Sequence, residues 1–262
     1  MRRVKSSLKR ASDSWLGSME IISGAALQVG EGVGEWYGWA MLDAIETIMV
    51  EGKEISVFLP TSYSQTPHRK FPILLMLTPG LKAPEAIAGL RKEGVLPEMI
   101  VAEVAAAETP AGPMEPIAIV NALSDHLRIL DSPSARWIGG TGHAALTAFR
   151  TLLDQPELFG AACCLSTSFE GVEGAPPPHS PMLLDLEERK SLPTGRRVIF
   201  DYGTIGLDEC YEPYHRDLGA LLRTRGWKDG VEFEICRVNG GSQEISSWEQ
   251  RIGPALRWLA GR

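Results

Sequence analysis

Trp137-Ile138-Gly139-Gly140-Thr141-Gly142-His143-Ala144-Ala145-Leu146 reads as a short apolar strand that runs into small residues and turns at once into a helix. The helix is followed by Gln155-Pro156-Glu157-Leu158-Phe159-Gly160. Glycine at a strand–helix junction permits backbone conformations that other residues avoid. One use of such a junction is to seat a dinucleotide phosphate on the helix N-terminus. Gly139-Gly140-Thr141-Gly142 lacks the third glycine of that frame, and no acidic residue ends a strand about twenty positions on. The dinucleotide reading is therefore weak, and the surrounding elements decide the fold.

Outward from this junction, strands and helices alternate. Residues 45–50 and 54–59 flank Glu51-Gly52-Lys53 and predict an antiparallel hairpin whose glycine supplies the turn. Residues 71–77 are nearly all apolar, as in a buried parallel strand, and Pro79-Gly80 stops them. Ala83–Lys92 predicts a helix and residues 99–105 a strand. Residues 110–116 form a proline- and glycine-rich loop. Ile119, Leu123, Leu127 and Leu130 recur at helical spacing across residues 117–130. Strand 136–139, helix 142–153 and strand Ala161–Leu165 follow. Residues 171–181, with three consecutive prolines, read as loop. Strand 198–202, helix 211–225, strand 231–238 and helix 247–260 complete the chain. The pattern predicts an α/β fold: a mainly parallel sheet with helices on both faces, begun by an N-terminal antiparallel hairpin. Residues 44–262 form that domain. Residues 1–43 form a tail and an aromatic-rich segment (Trp15, Trp36, Tyr37, Trp39) suited to covering a sheet edge or serving as an interface.

At 262 residues the chain can bury a sizeable core, and its 44% hydrophobic and 23% charged residues are ordinary for a soluble globular protein. A net charge of −7 argues against nucleic-acid binding, which needs clustered Lys and Arg. The four cysteines form no C-x-x-C pair. Cys163 and Cys164 read as small apolar residues of a buried strand, which implies a reduced, cytoplasmic setting. Met1 to Arg10 carries five positive charges and no acid, but no apolar region follows, so a signal peptide and a membrane span are not expected.

Taken together, these segments resemble the esterase family of α/β hydrolases that includes enterochelin-esterase-like and esterase-D-like proteins. The resemblance covers roughly residues 45–260. It rests on Val57-Phe58-Leu59-Pro60 with Phe71-Pro72-Ile73-Leu74-Leu75, on Leu96-Pro97-Glu98-Met99-Ile100-Val101, and above all on the 139–143 junction and Gln155-Pro156-Glu157-Leu158-Phe159-Gly160. Asp201-Tyr202-Gly203-Thr204, Gly240-Gly241 with Trp248, and Ala255-Leu256-Arg257-Trp258-Leu259 complete it in outline. The resemblance implies an α/β-hydrolase fold. It also implies a nucleophile elbow in which a catalytic serine stands on a strained turn between strand and helix.

Counting back from Pro156 by the family's spacing places Gly142 at the serine position, with His143 after it. The competing register, with Thr141 as nucleophile, would force a β-branched residue to positive φ. The family's general-base histidine follows the last strand in a Gly-Gly-x-His or Gly-Gly-His context. Here Gly240-Gly241-Ser242-Gln243-Glu244-Ile245-Ser246-Ser247-Trp248 contains no histidine, and neither Ser242 nor Gln243 takes a proton from a hydroxyl at neutral pH. Asp208 stands about where the triad carboxylate belongs, although an isolated loop acid is more often a helix cap or a surface charge. For the oxyanion hole, Pro79 has no N–H, leaving Gly80 or Leu81 beside His143.

The expectation is thus an esterase-fold homologue without catalysis, with Gly142, Asp208 and Ser242 as vestigial triad positions. Thr78, Gly80, Leu81, Thr141 and His143 are candidates to line its pocket, and it would act by binding a protein or a small ligand. Two alternatives stay open: an ester hydrolase with a relocated base and Thr141 or Ser166 as nucleophile, and a structural subunit or homo-oligomer assembled through residues 1–43. No cofactor is expected. Asp208, Cys210 and His215 match no established metal-ligand spacing. His68 and His179 read as loop surface, and His126 and His215 as capping or packing residues.

Overall fold

The computed structural model describes residues 19–22, 25–28, 42–104, 116–169 and 180–261. Trp15, Trp36, Tyr37 and Trp39, on which the interface expectation rests, lie outside the described residues, as do His179 and most of the 171–181 loop. Met19–Ile22 (β1) and Ala25–Gln28 (β2) pair as a separate antiparallel ribbon. The main sheet has eight strands: Leu42–Val50 (β3), Lys53–Pro60 (β4), Ile73–Met76 (β5), Ile100–Val104 (β6), Arg136–Thr141 (β7), Ala161–Leu165 (β8), Arg197–Gly203 (β9) and Phe233–Val238 (β10). Their order is β10-β9-β8-β7-β5-β6-β4-β3. Only the pairings of β4, with β3 and with β6, are antiparallel. The other five are parallel.

The opening hairpin closes at Val50 and Lys53. Both central residues are left-handed, Glu51 at φ 50° and Gly52 at φ 81°, the two-residue turn whose twist matches that of paired strands. The helices Ala83–Lys92 (α1), Pro116–His126 (α2), Gly142–Asp154 (α3), Pro181–Glu188 (α4), Glu212–Thr224 (α5) and Ile245–Leu259 (α6) cover the sheet. Alternation along each strand divides the core in two. Ile73 and Leu75 pack in one apolar cluster with Phe149 and Leu218, whereas Leu74 and Met76 pack in another with Ile87 and Leu256. Burial on both sides explains why β5 and β8 read as unbroken apolar or small-residue runs, and why β6 does so except at Glu103. None of the described helices is long and apolar enough to cross a membrane.

Two expectations need correction. α2 ends at His126, short of Leu130, because residues 127–130 leave the helix to pair with Phe71. Phe71 N–H donates to the Arg128 carbonyl (2.7 Å) and Leu130 N–H to the Phe71 carbonyl (2.9 Å). The Arg128 guanidinium anchors this detour, stacking 3.9 Å from the Tyr63 ring and donating to the Tyr63 and Thr66 carbonyls. The second correction is α4, which was not expected so soon after a proline-rich stretch. Pro181 stands at its first turn, where a missing N–H and a fixed φ suit a helix.

The glycines around the 139–160 junction answer to different constraints. A Cβ on Gly139 would meet Met76 Sδ at 2.9 Å and the Cys163 carbonyl oxygen at 3.1 Å, and one on Gly140 would lie 2.7 Å from the Ala144 carbonyl carbon. Both let β7 press against its neighbours and its own helix. Gly160 donates its N–H to the Arg136 carbonyl (3.0 Å), and a Cβ there would sit 2.4 Å from the Pro133 carbonyl oxygen. Because that neighbour is backbone, Gly160→Ala is expected to cost about 1–3 kcal/mol, as overpacking does. Urea unfolding followed by circular dichroism reads this as a lower midpoint at unchanged slope; an unchanged midpoint would show that the Pro133 segment yields freely.

Candidate functional site

β5, β7, β8, β9 and β10 are parallel, so Thr78, Thr141, Ser166, Gly203 and Asn239 all lie toward the carboxyl ends of the strands, where open α/β sheets place their ligands. Thr141 is extended (φ −123°, ψ 152°) and buried. Its N–H donates to Thr78 Oγ1 (3.0 Å), and the two hydroxyls are 3.2 Å apart. The left-handed residue of the junction is Gly142, at φ 55°, and a Cβ built on it meets nothing within 4 Å. Thr141 therefore has neither the backbone geometry nor the free hydroxyl of an elbow nucleophile. His143 is exposed at the start of α3.

Behind this junction lies a buried polar cluster. Asp208, in the tight turn Gly206–Tyr211, is wholly buried; it is neither a surface charge nor an exposed helix cap. Its Oδ2 accepts the Ser166 hydroxyl (2.7 Å) and the Gly203 N–H (2.7 Å). Ser166, also wholly buried, is one of three described non-glycine residues at positive φ (45°). Its Oγ accepts from Trp248 Nε1 and from Arg251 Nη2, both at 2.9 Å, and its N–H donates to Asp201 Oδ1 (2.7 Å). Arg251 Nη1 lies 3.1 Å from Asp201 Oδ1 and 3.7 Å from Asp208 Oδ2, while Nη2 also donates to the Ser242 carbonyl (2.7 Å). Burial pushes the Asp201 carboxyl up to about 6, against the opposing pull of Arg251 and the Ser166 N–H. The Ser166 hydroxyl has its one donor and both lone pairs engaged, which removes it as an accessible nucleophile.

Of the three positions expected from sequence to be triad remnants, Asp208 and Ser242 are joined through Arg251, Ser242 by its carbonyl; Gly142 touches the same region where its carbonyl accepts the Ser168 N–H (3.2 Å). His215 offers no relocated base. It is wholly buried, packed against Tyr202 (4.8 Å between ring centres) and Phe169 (5.2 Å). Its Nδ1 lies 2.9 Å from the Tyr211 carbonyl oxygen, an acceptor, so the proton sits on Nδ1. Burial lowers its pKa to about 4, although the Tyr211 carbonyl and the Asp208 charge act the other way.

The pocket-lining candidates separate. Thr78 and Thr141 bond to each other, and Gly80 gives its N–H to Glu103 Oε2 (2.9 Å). Leu81 is buried in the apolar cluster beside α1 and α6 and lines no open space. Pro79 has no N–H and the Gly80 N–H is engaged by Glu103, so neither is free to hold an oxyanion. Burial raises the Glu103 carboxyl to about 6. Among the described residues no group of three or more His, Cys, Asp or Glu is placed to hold a metal ion. Sequence reasoning overlooked Arg251, Trp248 as a donor, and Glu103. For Arg251 a signal exists: it falls on the stripe with Ile252, Ala255, Leu256 and Leu259, a charge on the buried face of an amphipathic helix.

Two measurements test these electrostatics. The folded protein holds the Glu103 proton more tightly than the unfolded chain does (about 6 against 4.5), so this group adds stability as pH falls from 7 toward 4.5. Glu103→Gln, which can still accept from Gly80, removes that dependence. The stability difference between the unmodified protein and the variant should move by about 2 kcal/mol in favour of the unmodified protein across that window; a difference flat with pH would refute it. Arg251→Met leaves two buried carboxylates without their cation and is expected to cost about 3–5 kcal/mol at pH 7. The loss should shrink at pH 5, where a buried carboxyl regains its proton; a loss independent of pH would point to packing alone.

No protein-family model matches the chain, and no curated protein does. Solved structures do. The chain is similar to a ferulic acid esterase at 15% identity, covering 83% of this chain and 97% of that one with a TM-score of 0.64. It is similar to the ferric enterobactin esterase of Salmonella typhimurium at 19% identity, covering 79% of this chain and 54% of that one (TM-score 0.62). The S-formylglutathione hydrolase FrmB of Staphylococcus aureus matches at 17% identity, covering 86% and 98% (TM-score 0.59). At such identities the likeness establishes the fold, and the fold is that of the esterase-like α/β hydrolases.

Proposed function

We propose that this chain is an esterase-fold protein that has given up catalysis and acts by binding a protein or small ligand at the carboxyl ends of its strands. The observation that carries the reading is the pairing of Gly142, left-handed and without a side chain, with an Asp208 carboxylate bonded to Ser166 and Gly203 rather than to a histidine. A triad needs a hydroxyl, a base that accepts its proton and a carboxylate that orients the base. Residues 239–248 supply no histidine to act as that base. Thr141 is extended and Ser166 saturated, which weighs against an ester hydrolase with a substitute nucleophile.

The purified protein is expected neither to hydrolyse short-chain aryl esters above the buffer rate nor to be labelled by a fluorophosphonate probe. Gly142→Ser has room for its side chain, so it should fold, at a cost of about 1 kcal/mol for leaving glycine at positive φ. It should remain unlabelled, because a serine without a base is a weak nucleophile. Turnover by the unmodified protein that disappears in Thr141→Ala or Ser166→Ala would overturn the proposal; rapid labelling of Gly142→Ser alone would show instead that a base survives and that the loss rests on position 142.

A further inference from the structure

The loops after β9 and β10 are bonded into a single rim. Thr204 and Ile205 both donate N–H groups to the Gly241 carbonyl (3.0 Å each), Gly240 N–H donates to Thr204 Oγ1 (2.8 Å), and Gln243 Nε2 donates to the Tyr211 hydroxyl (2.7 Å). Six large hydrophobic side chains are exposed among the described residues, and three of them stand on this rim: Ile205 (53%), Leu207 (68%) and Ile245 (55%). Isolated exposed apolar residues are commonplace, but several on one rim mark an interaction surface. Glu209 and Glu244, beside Asp208 and Ile245 in the chain, are exposed and have no ion pair with any described residue. The cations nearby are committed: Lys82 to Glu249 (2.8 Å), Arg237 to Glu212 (3.7 Å) and Asn239 (2.6 Å), while Arg251 is buried. The rim therefore presents apolar side chains framed by unpaired carboxylates.

The charge of that frame selects the occupant. A second copy meeting this surface across a twofold axis would set the same carboxylates against their own images. An anionic lipid surface or a nucleic acid would meet them with phosphates. Each of those encounters brings like charges together, which works against association. A cationic segment that also carries aliphatic side chains matches both features: its apolar groups cover Ile205, Leu207 and Ile245 while its cations reach Glu209 and Glu244. The net charge of −7 on the whole chain draws such a segment from a distance. We propose that the rim of Ile205, Leu207 and Ile245 docks a basic, aliphatic segment of a partner protein. This specifies the binding role proposed above and does not depend on the loss of catalysis, which the ester and fluorophosphonate assays test separately, so the two can fail independently.

The probe is a short fluorescein-labelled peptide of lysine and leucine in equal parts, followed by anisotropy against the full chain. It should bind at low salt; a glutamate–leucine counterpart should not, and an all-lysine peptide should bind more weakly. Ile205→Ser with Leu207→Ser should weaken the lysine–leucine peptide by about tenfold or more, as loss of anchoring side chains does. Glu209→Lys with Glu244→Lys keeps the apolar anchors and should reverse the preference toward the glutamate–leucine peptide, a gain that loss of folding cannot produce. Cys210, exposed on the same rim, reports the place, since Cys163 and Cys164 are buried and Cys236 is half-buried. Bound peptide should slow its modification by a chromogenic disulfide reagent. Absence of binding, equal affinity of the unmodified protein and the serine variant, or peptide that leaves Cys210 fully reactive would overturn the proposal. So would a dimer, or attachment to phosphatidylserine vesicles, that the serine variant abolishes, since either would give the surface a different occupant.

Discussion

One guanidinium sets the geometry of this molecule's functional end. Arg251 reaches from α6 into a region sealed from water, where Asp201 and Asp208 would otherwise be two like charges in a poorly polarisable medium. Isolated charges pay several kcal/mol each to leave water, and only close pairing with satisfied hydrogen bonds offsets that. Arg251 meets the condition by dividing its donors among Asp201, the Ser166 hydroxyl and the carbonyls of Ser242 and Ser247. The last helix is thereby fixed to β8, β9 and the loop after β10. The two loops lie so close that a Cβ on Gly203 would fall 2.0 Å from the Gly241 carbonyl oxygen.

Two residues near this cluster hold left-handed backbone by different means. Gly142 does so at little steric cost and needs nothing around it. Ser166 does so against steric preference, and the surroundings over-determine it: its amide is taken by Asp201, and its hydroxyl by Asp208, Trp248 and Arg251. The strained serine is thus the one locked inside, while the relaxed position is the one at the junction where β7 gives way to α3.

Much of the scaffold could be read from sequence because its causes are local. Glu51-Gly52 makes a two-residue turn, Ala83–Lys92 has a proline at its start and basic residues at its end, and the small and apolar run Ala161–Leu165 is buried from both sides. Misreadings arose where distant contacts override local pattern. Leu127 and Leu130 continue a helical spacing, yet the backbone there pairs with Phe71, some sixty positions earlier. The candidate site divided along the same line. A glycine at the junction and a missing histidine are one-dimensional facts. That Asp208 is buried, and that Ser166 and Arg251 are its partners across 42 and 43 positions, is a property of the packed sheet alone.

The cluster also bears on how this chain's history could run backwards. On the reading proposed here, the two changes that separate it from an ester hydrolase are unequal. Serine at position 142 would find open space, so that step is sterically reversible. The carboxylate is otherwise placed: Ser166, the Gly203 N–H and Arg251 all face its Oδ2, and a histidine arriving near Ser242 would find only the buried Oδ1, which has no hydrogen-bond partner among the described residues. Bonds acquired after an active site falls idle can become structural supports of the fold, and selection for stability then acts as a ratchet against the return of the old chemistry.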